Sequence, residues 1–279
     1  MVDDKPDWGY GGASGDAMRA YEETLARPLF DPWARLLIEE LALDPGEHLL
    51  DVATGPGTLA RLAAARLGPK GRVVACDLSP AMLALAIAKP AVPNGAPIDY
   101  LECPADSLTL ATGAFDVVTC QQGLQFFPDR LAALAEMRRV LKPGGRLGVA
   151  VWSEIDRCPP IAALTSAIGA VMGEAKAHSY SSGPWGFPSA DELHNLITSA
   201  GFDQVRVVER QLPVVFESGP SQLVASLAAS GISNEVARLD PEQRAALDQK
   251  AAKLLAPLVI GSGVESQMAS NIGLAVKEG

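Results

Sequence analysis

The stretch Asp51-Val52-Ala53-Thr54-Gly55-Pro56-Gly57-Thr58-Leu59-Ala60 constrains this chain more than any other. The apolar run from His48 to Val52 reads as a buried strand. It stops at a turn with two glycines, and Thr58, Leu59, Arg61, Leu62, Ala65 and Arg66 then follow a helical pattern. A strand feeding a glycine-rich turn and a helix brings backbone N–H groups against a ligand at the helix N-terminus. A side chain in the turn would block that approach, and a tight turn can call for positive φ, so glycine suits both needs.

The rest of the first half repeats the alternation. Arg72 to Cys76 is a second strand, ending at Asp77. Ser79-Pro80 opens a helix, with Ser79 as N-cap and Pro80 at the first helical position. Ile98–Cys103, Phe115–Cys120 and Arg146–Trp152 are further strands. A helix runs from Pro128 to Leu141 and stops at Lys142-Pro143-Gly144-Gly145. Strands alternating with helices predict a parallel sheet covered on both faces.

On either side the pattern changes. Residues 1–16, rich in Gly and Asp, read as a mobile arm, and Ala17 to Leu43 as helices interrupted at Pro28 and Pro32. Residues 153–188 are dense in Pro, Gly and Ser and read as a lid. Ser189 opens a capped helix that Gly201 closes, and Val205–Phe216 reads as a strand. Residues 217–258 read as a helical insertion whose last helix starts at Asp240-Pro241. Met268–Lys277 reads as a final edge strand. Three units result: 1–44, covering the site; 45–152, the ligand-binding core; and 153–279, with the lid and the insertion.

Composition narrows the function. Lys plus Arg number 23 and Asp plus Glu 33, a net charge of −10, which argues against a nucleic-acid partner. No apolar stretch approaches the roughly 18 residues that cross a bilayer. The acidic start does not read as a signal peptide, so a cytoplasmic location is expected. Cys76, Cys103, Cys120 and Cys158 form no CxxC pair and read as buried core residues, with no metal site.

The chemistry sits at the carboxyl ends of the strands, where open parallel sheets bind ligands. Asp77 lies 20 residues after Gly57, where a carboxylate can take both ribose hydroxyls. The plainer alternative, a helix-capping Asp, is weakened because Ser79 already caps. Asp106 follows the third strand and either accepts from an exocyclic amine or is an exposed loop residue. Asp51 and Gln121 fall on the same rim.

Leu50-Asp51-Val52-Ala53-Thr54-Gly55-Pro56-Gly57, Cys76-Asp77-Leu78-Ser79-Pro80, Pro104-Ala105-Asp106, Phe115-Asp116-Val117-Val118 and Leu141-Lys142-Pro143-Gly144-Gly145 resemble the ordered motifs of class I S-adenosylmethionine-dependent methyltransferases. The chain is most similar to the small-molecule subgroup, with quinone and sterol methyltransferases, over about residues 45–152. One departure is Ala53, which stands where the family has its first loop glycine.

The resemblance implies an α/β, Rossmann-like, doubly wound and mostly parallel seven-stranded sheet with an antiparallel last strand, plus a helical lid. It implies S-adenosyl-L-methionine as cofactor. Gly55, Pro56 and Gly57 would face its methionine part and Asp77 its ribose. Leu78 and Met82 would pack on adenine, with Ala105, Asp106 and Ser107 at the adenine edge. Gln121 would meet the methionine end, and Tyr21 and Trp33 would close the site.

The expected reaction is in-line methyl transfer to a small hydrophobic or aromatic molecule. Alignment can contribute about 7–11 kcal/mol to such a step. Phe126, Phe127, Trp152, Trp185 and Phe187 are the expected acceptor wall. No catalytic residue is assigned. His178 is the candidate base where one is needed, against its plainer reading as an exposed lid residue. His48 and His194 read as structural and as surface residues. Two rivals stand: an NAD-dependent oxidoreductase, since Gly55-x-Gly57-x-x-Ala60 fits the loose dinucleotide fingerprint, and a protein that binds the sulfonium for a reaction such as cyclisation. The arm or the insertion could support a homodimer, which nothing in the sequence requires.

Overall fold

Strands pair side by side into one sheet in the computed structural model, which describes residues 22–279 apart from Pro188 and the side chains of Glu23, Thr24 and Arg27. The expected arm, the helix start at Ala17 and Tyr21 lie outside the described residues. Helix α1 (Glu22–Phe30) is wound in π-type turns around Pro28. Helix α2 (Asp31–Leu41) starts with Pro32 in its first turn and buries Trp33, Leu37 and Leu41.

The alternating half follows in order: β1 (His48–Val52), α3 (Thr58–Leu67), β2 (Arg72–Asp77), α4 (Pro80–Ala88), β3 (Ile98–Glu102), β4 (Phe115–Gln121), α5 (Arg130–Val140) and β5 (Leu141–Trp152). Strand β1 pairs in parallel with both β2 and β4, β2 with β3, and β4 with β5. Chain order therefore reverses between β1 and β4, and a crevice opens at their carboxyl ends. Successive residues of β1 serve opposite faces, as strand geometry requires. Leu49 enters one hydrophobic cluster; Leu50 and Val52 enter the other.

The second half comprises α6 (Pro159–Met172), α7 (Glu174–Ser182), α8 (Ala190–Ser199), β6 (Asp203–Phe216), α9 (Pro220–Ser226), α10 (Ser233–Ala237), α11 (Pro241–Leu255), β7 (Val259–Ile260) and β8 (Gly263–Val276). The sheet order is β3-β2-β1-β4-β5-β8-β6, with the two-residue β7 pairing β8. The α/β, Rossmann-like, mostly parallel sheet is as expected, with seven long strands and a short eighth.

Three details depart from expectation. The final apolar segment is not an edge strand. Strand β8 lies antiparallel between β5 and β6, and the edge is β6. The unbroken burial of Met268–Gly273 suits an interior position, because both faces of the strand are covered. Residues 153–188, expected as a lid with no helix bounds assigned, hold α6 and α7. Their Pro pair begins α6, whose Ile161, Leu164, Ala167 and Ile168 are buried and which packs on α11. Lys142–Gly145 belongs to the irregular start of β5, which shifts register opposite Phe115–Val117.

Candidate active site

At the carboxyl ends of β1, β2 and β4 lies a cavity of about 1040 Å³, and its floor is the place where two loops nearly touch. Beyond β1, Ala53 adopts φ +57° and Gly55 φ +54°; beyond β4, Gln122 adopts φ +54°. Left-handed geometry costs a non-glycine residue roughly 1–2 kcal/mol, and such strain gathers at functional sites. Ala53 thus bears a conformation that the glycine usual there would adopt freely. A Cβ on Gly123 would meet Ala53 Cβ at 2.6 Å and Cys120 Sγ at 3.0 Å, so only glycine lets the loops approach.

Asp77 joins the glycine loop to the start of α4. Its Oδ2 accepts the Gly55 N–H at 2.8 Å and its Oδ1 the Ser79 N–H at 2.9 Å. Burial raises its carboxyl above the ordinary range, opposed by these N–H donors. Each oxygen keeps lone-pair capacity toward the cavity it lines. A Cβ on Gly55 would meet nothing within 4 Å, so the loop leaves open space beside it.

Asp51 is a pin. It is 1 % exposed, its Oδ2 accepts Thr54 Oγ1 at 2.7 Å, and its Oδ1 accepts Thr119 Oγ1 at 2.8 Å. Burial pushes its carboxyl up to about 6. The pin holds β1, β4 and the glycine loop together.

Of the expected binding residues, Gly55, Pro56, Asp77, Leu78, Met82, Ala105, Asp106 and Gln121 line the cavity. Gly57 and Ser107 do not. Gly57 precedes α3 at φ +80°, and a Cβ there would press on Ala86 and Tyr100 at 3.3 Å, away from the cavity. Ser107 is exposed, with its carbonyl accepting Cys103 Sγ at 3.4 Å.

Tyr21 lies outside the described residues. Trp33 is core, 2 % exposed and edge-on to Trp152 at 5.8 Å. Leu25, Leu29 and Phe30 cover the site instead. Helix α1 is tied down at both ends. Lys89 Nζ bridges Glu22 Oε1 (2.7 Å) and the Pro56 carbonyl (2.8 Å), and Gln121 Nε2 donates to the Phe30 carbonyl at 2.9 Å.

The other end of the cavity is aromatic. Trp152 stacks with Trp185 at 6.3 Å and 23°, Phe30 lies 6.2 Å from Trp152, and Tyr180 lies 6.0 Å from Trp185. Phe126 and Phe127 line it as expected. Phe187 does not. It is buried in the opposite hydrophobic cluster with the Arg130 guanidinium 4.7 Å above its ring. His178 is exposed on α7 and is not a lining residue, and His194 is exposed on α8. His48 opens β1, exposed, donating its backbone N–H to Asp116 at 2.9 Å. All four cysteines are buried free thiols.

Sequence reasoning missed Gln122, Gln125, Ser226 and Ser230, which also line the cavity. For the glutamines a signal existed: Gln121-Gln122-Gly123-Leu124-Gln125 follows a strand at the point where chain order reverses. For the serines none did, since α9 and the turn after it arrive from a distant part of the chain.

The lining is strongly asymmetric in charge. Asp51, Asp77, Glu102 and Asp106 contribute carboxyl groups, while among the described lining residues there is no Lys, Arg or His.

Comparison with known proteins agrees with this architecture. A phosphoethanolamine N-methyltransferase 2 from Haemonchus contortus, solved with phosphomonomethylethanolamine and S-adenosylhomocysteine, superposes with TM-score 0.60 at 18 % identity, covering 95 % of this chain and 58 % of that one. The [4+2]-cyclase SpnF superposes with TM-score 0.55 at 24 % identity, covering 89 % and 80 %. These likenesses concern the fold. A ubiquinone/menaquinone biosynthesis C-methyltransferase UbiE of Xanthomonas campestris pv. campestris is 37 % identical over 126 residues, 44 % of this chain and about half (49 %) of that protein's length. The UbiE of Stenotrophomonas maltophilia is 33 % identical over 184 residues, 62 % of this chain and 72 % of that one. The family described as ubiE/COQ5 methyltransferase matches residues 21–215, well over half of the sequence. The chain belongs to the ubiE/COQ5 methyltransferase family.

Proposed function

We propose that this protein is an S-adenosylmethionine-dependent methyltransferase acting on a small hydrophobic or aromatic molecule. The observation that carries the reading is the charge of the cavity: four carboxyl-bearing residues and, among those described, no cation. A positive sulfonium is attracted there, whereas the pyrophosphate of NAD is repelled and would lack a cationic partner. This favours methyl donor over dinucleotide, although Asp77 suits the ribose of either.

The residues present fit the donor. The open space beside Gly55 and the held carboxylate of Asp77 form a cradle for a ribose diol, with Leu78 and Met82 as flat apolar neighbours for adenine. Ala105 and Asp106 then take the adenine edge, and Gly55, Pro56 and Gln121 the methionine end. Gly57 and Ser107 act only through loop shape.

When bound, the donor supplies an activated methyl group on sulfur. The chain's own residues contribute orientation and exclusion of water. Asp77 orients the ribose, α1 covers the site with Leu25, Leu29 and Phe30, and Trp152 with Trp185 presents a flat apolar wall to the acceptor. In this reading residues 1–44 cover the site, 45–152 hold the donor, and 153–279 complete the acceptor side.

The acidic net charge supports a small molecule over a nucleic acid as acceptor. Among the described residues no helix is long and apolar enough to cross a membrane. The four free thiols support a reducing, cytoplasmic setting.

Incubation with S-adenosylmethionine and a panel of aromatic acceptors should give a product one CH₂ heavier by mass spectrometry, with stoichiometric S-adenosylhomocysteine. Ligand at about 100 times its dissociation constant adds roughly 2.7 kcal/mol of stability. Stabilisation by NAD and not by S-adenosylhomocysteine would overturn the reading. Donor binding with no heavier product from any acceptor would favour the non-transfer rival.

A further inference from the structure

Gln125 is 4 % exposed, lines the cavity next in sequence to Phe126, and has an Oε1 sealed from solvent with no hydrogen-bond partner. Leaving such an oxygen unpaired is costly, and native structures rarely do so without a reason. Trp185 Nε1 is likewise buried without a partner, but it lies beside the Cys158 thiol.

The polarity of Gln125 is set by a directional relay beneath the cavity floor. Ser270 Oγ donates to the Val151 carbonyl at 2.7 Å, so its oxygen is left to accept. Gln122 Nε2 donates to that oxygen at 3.0 Å, which turns Gln122 Oε1 toward Gln125. Gln125 Nε2 donates to it across a long 3.5 Å contact. One of its two amide N–H groups is thereby used, and Oε1 is the atom left with no partner. An amide carbonyl can only accept a hydrogen bond. Nearby Ser226 and Ser230 likewise donate their hydroxyl protons to the Leu223 and Leu227 carbonyls, at 2.7 Å each.

We infer that Gln125 is a specificity-determining residue for the methyl acceptor: a small turn of its side chain opens the sealed Oε1 to the cavity, where it receives a hydrogen bond from an O–H or N–H on an aromatic ring lying against Trp152 and Trp185. The site therefore selects acceptors carrying a hydrogen-bond donor over otherwise identical molecules in which that hydrogen is replaced. The inference rests on the methyltransferase reading for what the aromatic end binds, and on the relay for which polarity it reads.

The test uses two probes on one ring system, 2-naphthol and its methyl ether 2-methoxynaphthalene, titrated calorimetrically into the full chain saturated with S-adenosylhomocysteine. The wild-type protein should bind 2-naphthol roughly three- to tenfold more tightly, the span of one neutral hydrogen bond. Gln125→Leu and, as a second substitution of similar volume, Gln125→Met should bring the two probes to equal affinity while S-adenosylhomocysteine affinity is unchanged. A merely structural role would weaken both probes together and keep their ratio. The inference is overturned if the wild type does not discriminate, if neither probe binds it, or if both variants keep the preference. Failure of S-adenosylhomocysteine to bind the wild type, with the probe ratio intact, would instead overturn the donor reading.

Discussion

Asp51→Asn isolates the energetics of the pin between β1 and β4. The carboxyl of Asp51 titrates near 6 in the fold because burial disfavours its charge, against 3.8 for an ordinary aspartate. A carboxyl whose folded value is raised contributes its full stability below the unfolded value, and loses it as pH rises through the folded value. Each pH unit of separation corresponds to 1.36 kcal/mol, so the interval from 3.8 to about 6 amounts to about 3 kcal/mol.

Asparagine has nearly the same shape, keeps one oxygen for a threonine donor and cannot ionise. The other threonine hydroxyl can turn to accept from the amide. The stability of Asp51→Asn minus that of the wild type should therefore rise by about 2.4 kcal/mol between pH 4 and pH 7, the first part of the change lying below pH 4, and then stay level. In a chain of this size that is roughly 5–10 °C in Tm. Urea unfolding followed by tryptophan fluorescence at stepped pH reads it directly. Asp77, raised in the same direction, is common to both proteins and largely cancels in the difference. A difference constant from pH 4 to pH 7 would mean that Asp51 ionises as an exposed aspartate does, and the pin would lose its energetic basis.

Three further outcomes follow from the same geometry. Asp77→Ala should weaken S-adenosylhomocysteine binding by ~1.5–3 kcal/mol, the loss of a charged hydrogen-bond partner; unchanged affinity by calorimetry would refute the ribose assignment. Gly123→Ala places a methyl 2.6 Å from Ala53 Cβ and should lower stability by ~1–3 kcal/mol; a wild-type urea midpoint would show that the two loops can part freely. Asp240→Ala removes a complete capping box with Gln243 at the start of α11 and should cost about 1 kcal/mol, with donor affinity as in the wild type.

Much of the proposed donor side was legible in the sequence because each signal there is local. A short apolar run, a glycine turn and an Asp at a fixed distance specify β1, the loop, α3 and Asp77 within thirty residues. Ser79 capping α4 was equally local, and the structure has its Oγ accepting the Met82 N–H at 3.3 Å. The acceptor side was legible only in type. Aromatic residues were expected there, but Phe187 went to the other face of the sheet, and Phe30 with Tyr180 took part instead. Which face a side chain serves after an irregular stretch depends on packing between distant segments, which a period cannot report. The placement of β8 was hidden for a related reason. An apolar run states that a strand is covered, not which strands flank it. The Pro pair at 159–160 was a readable helix start, obscured by the surrounding Gly and Ser.

The insertion of β8 between β5 and β6 has a consequence for biosynthesis. Residues 263–276 leave the ribosome long after Trp152, and at about 5–20 residues per second the delay over the intervening 124 residues is roughly 6–25 s. Throughout that interval the nascent polypeptide carries the unpaired margin of β5, a template for wrong partners. Strand β6, already made, has no ladder to join until its neighbour arrives. Translation speed across the last third of the message therefore bears on how long that margin stays open to wrong partners.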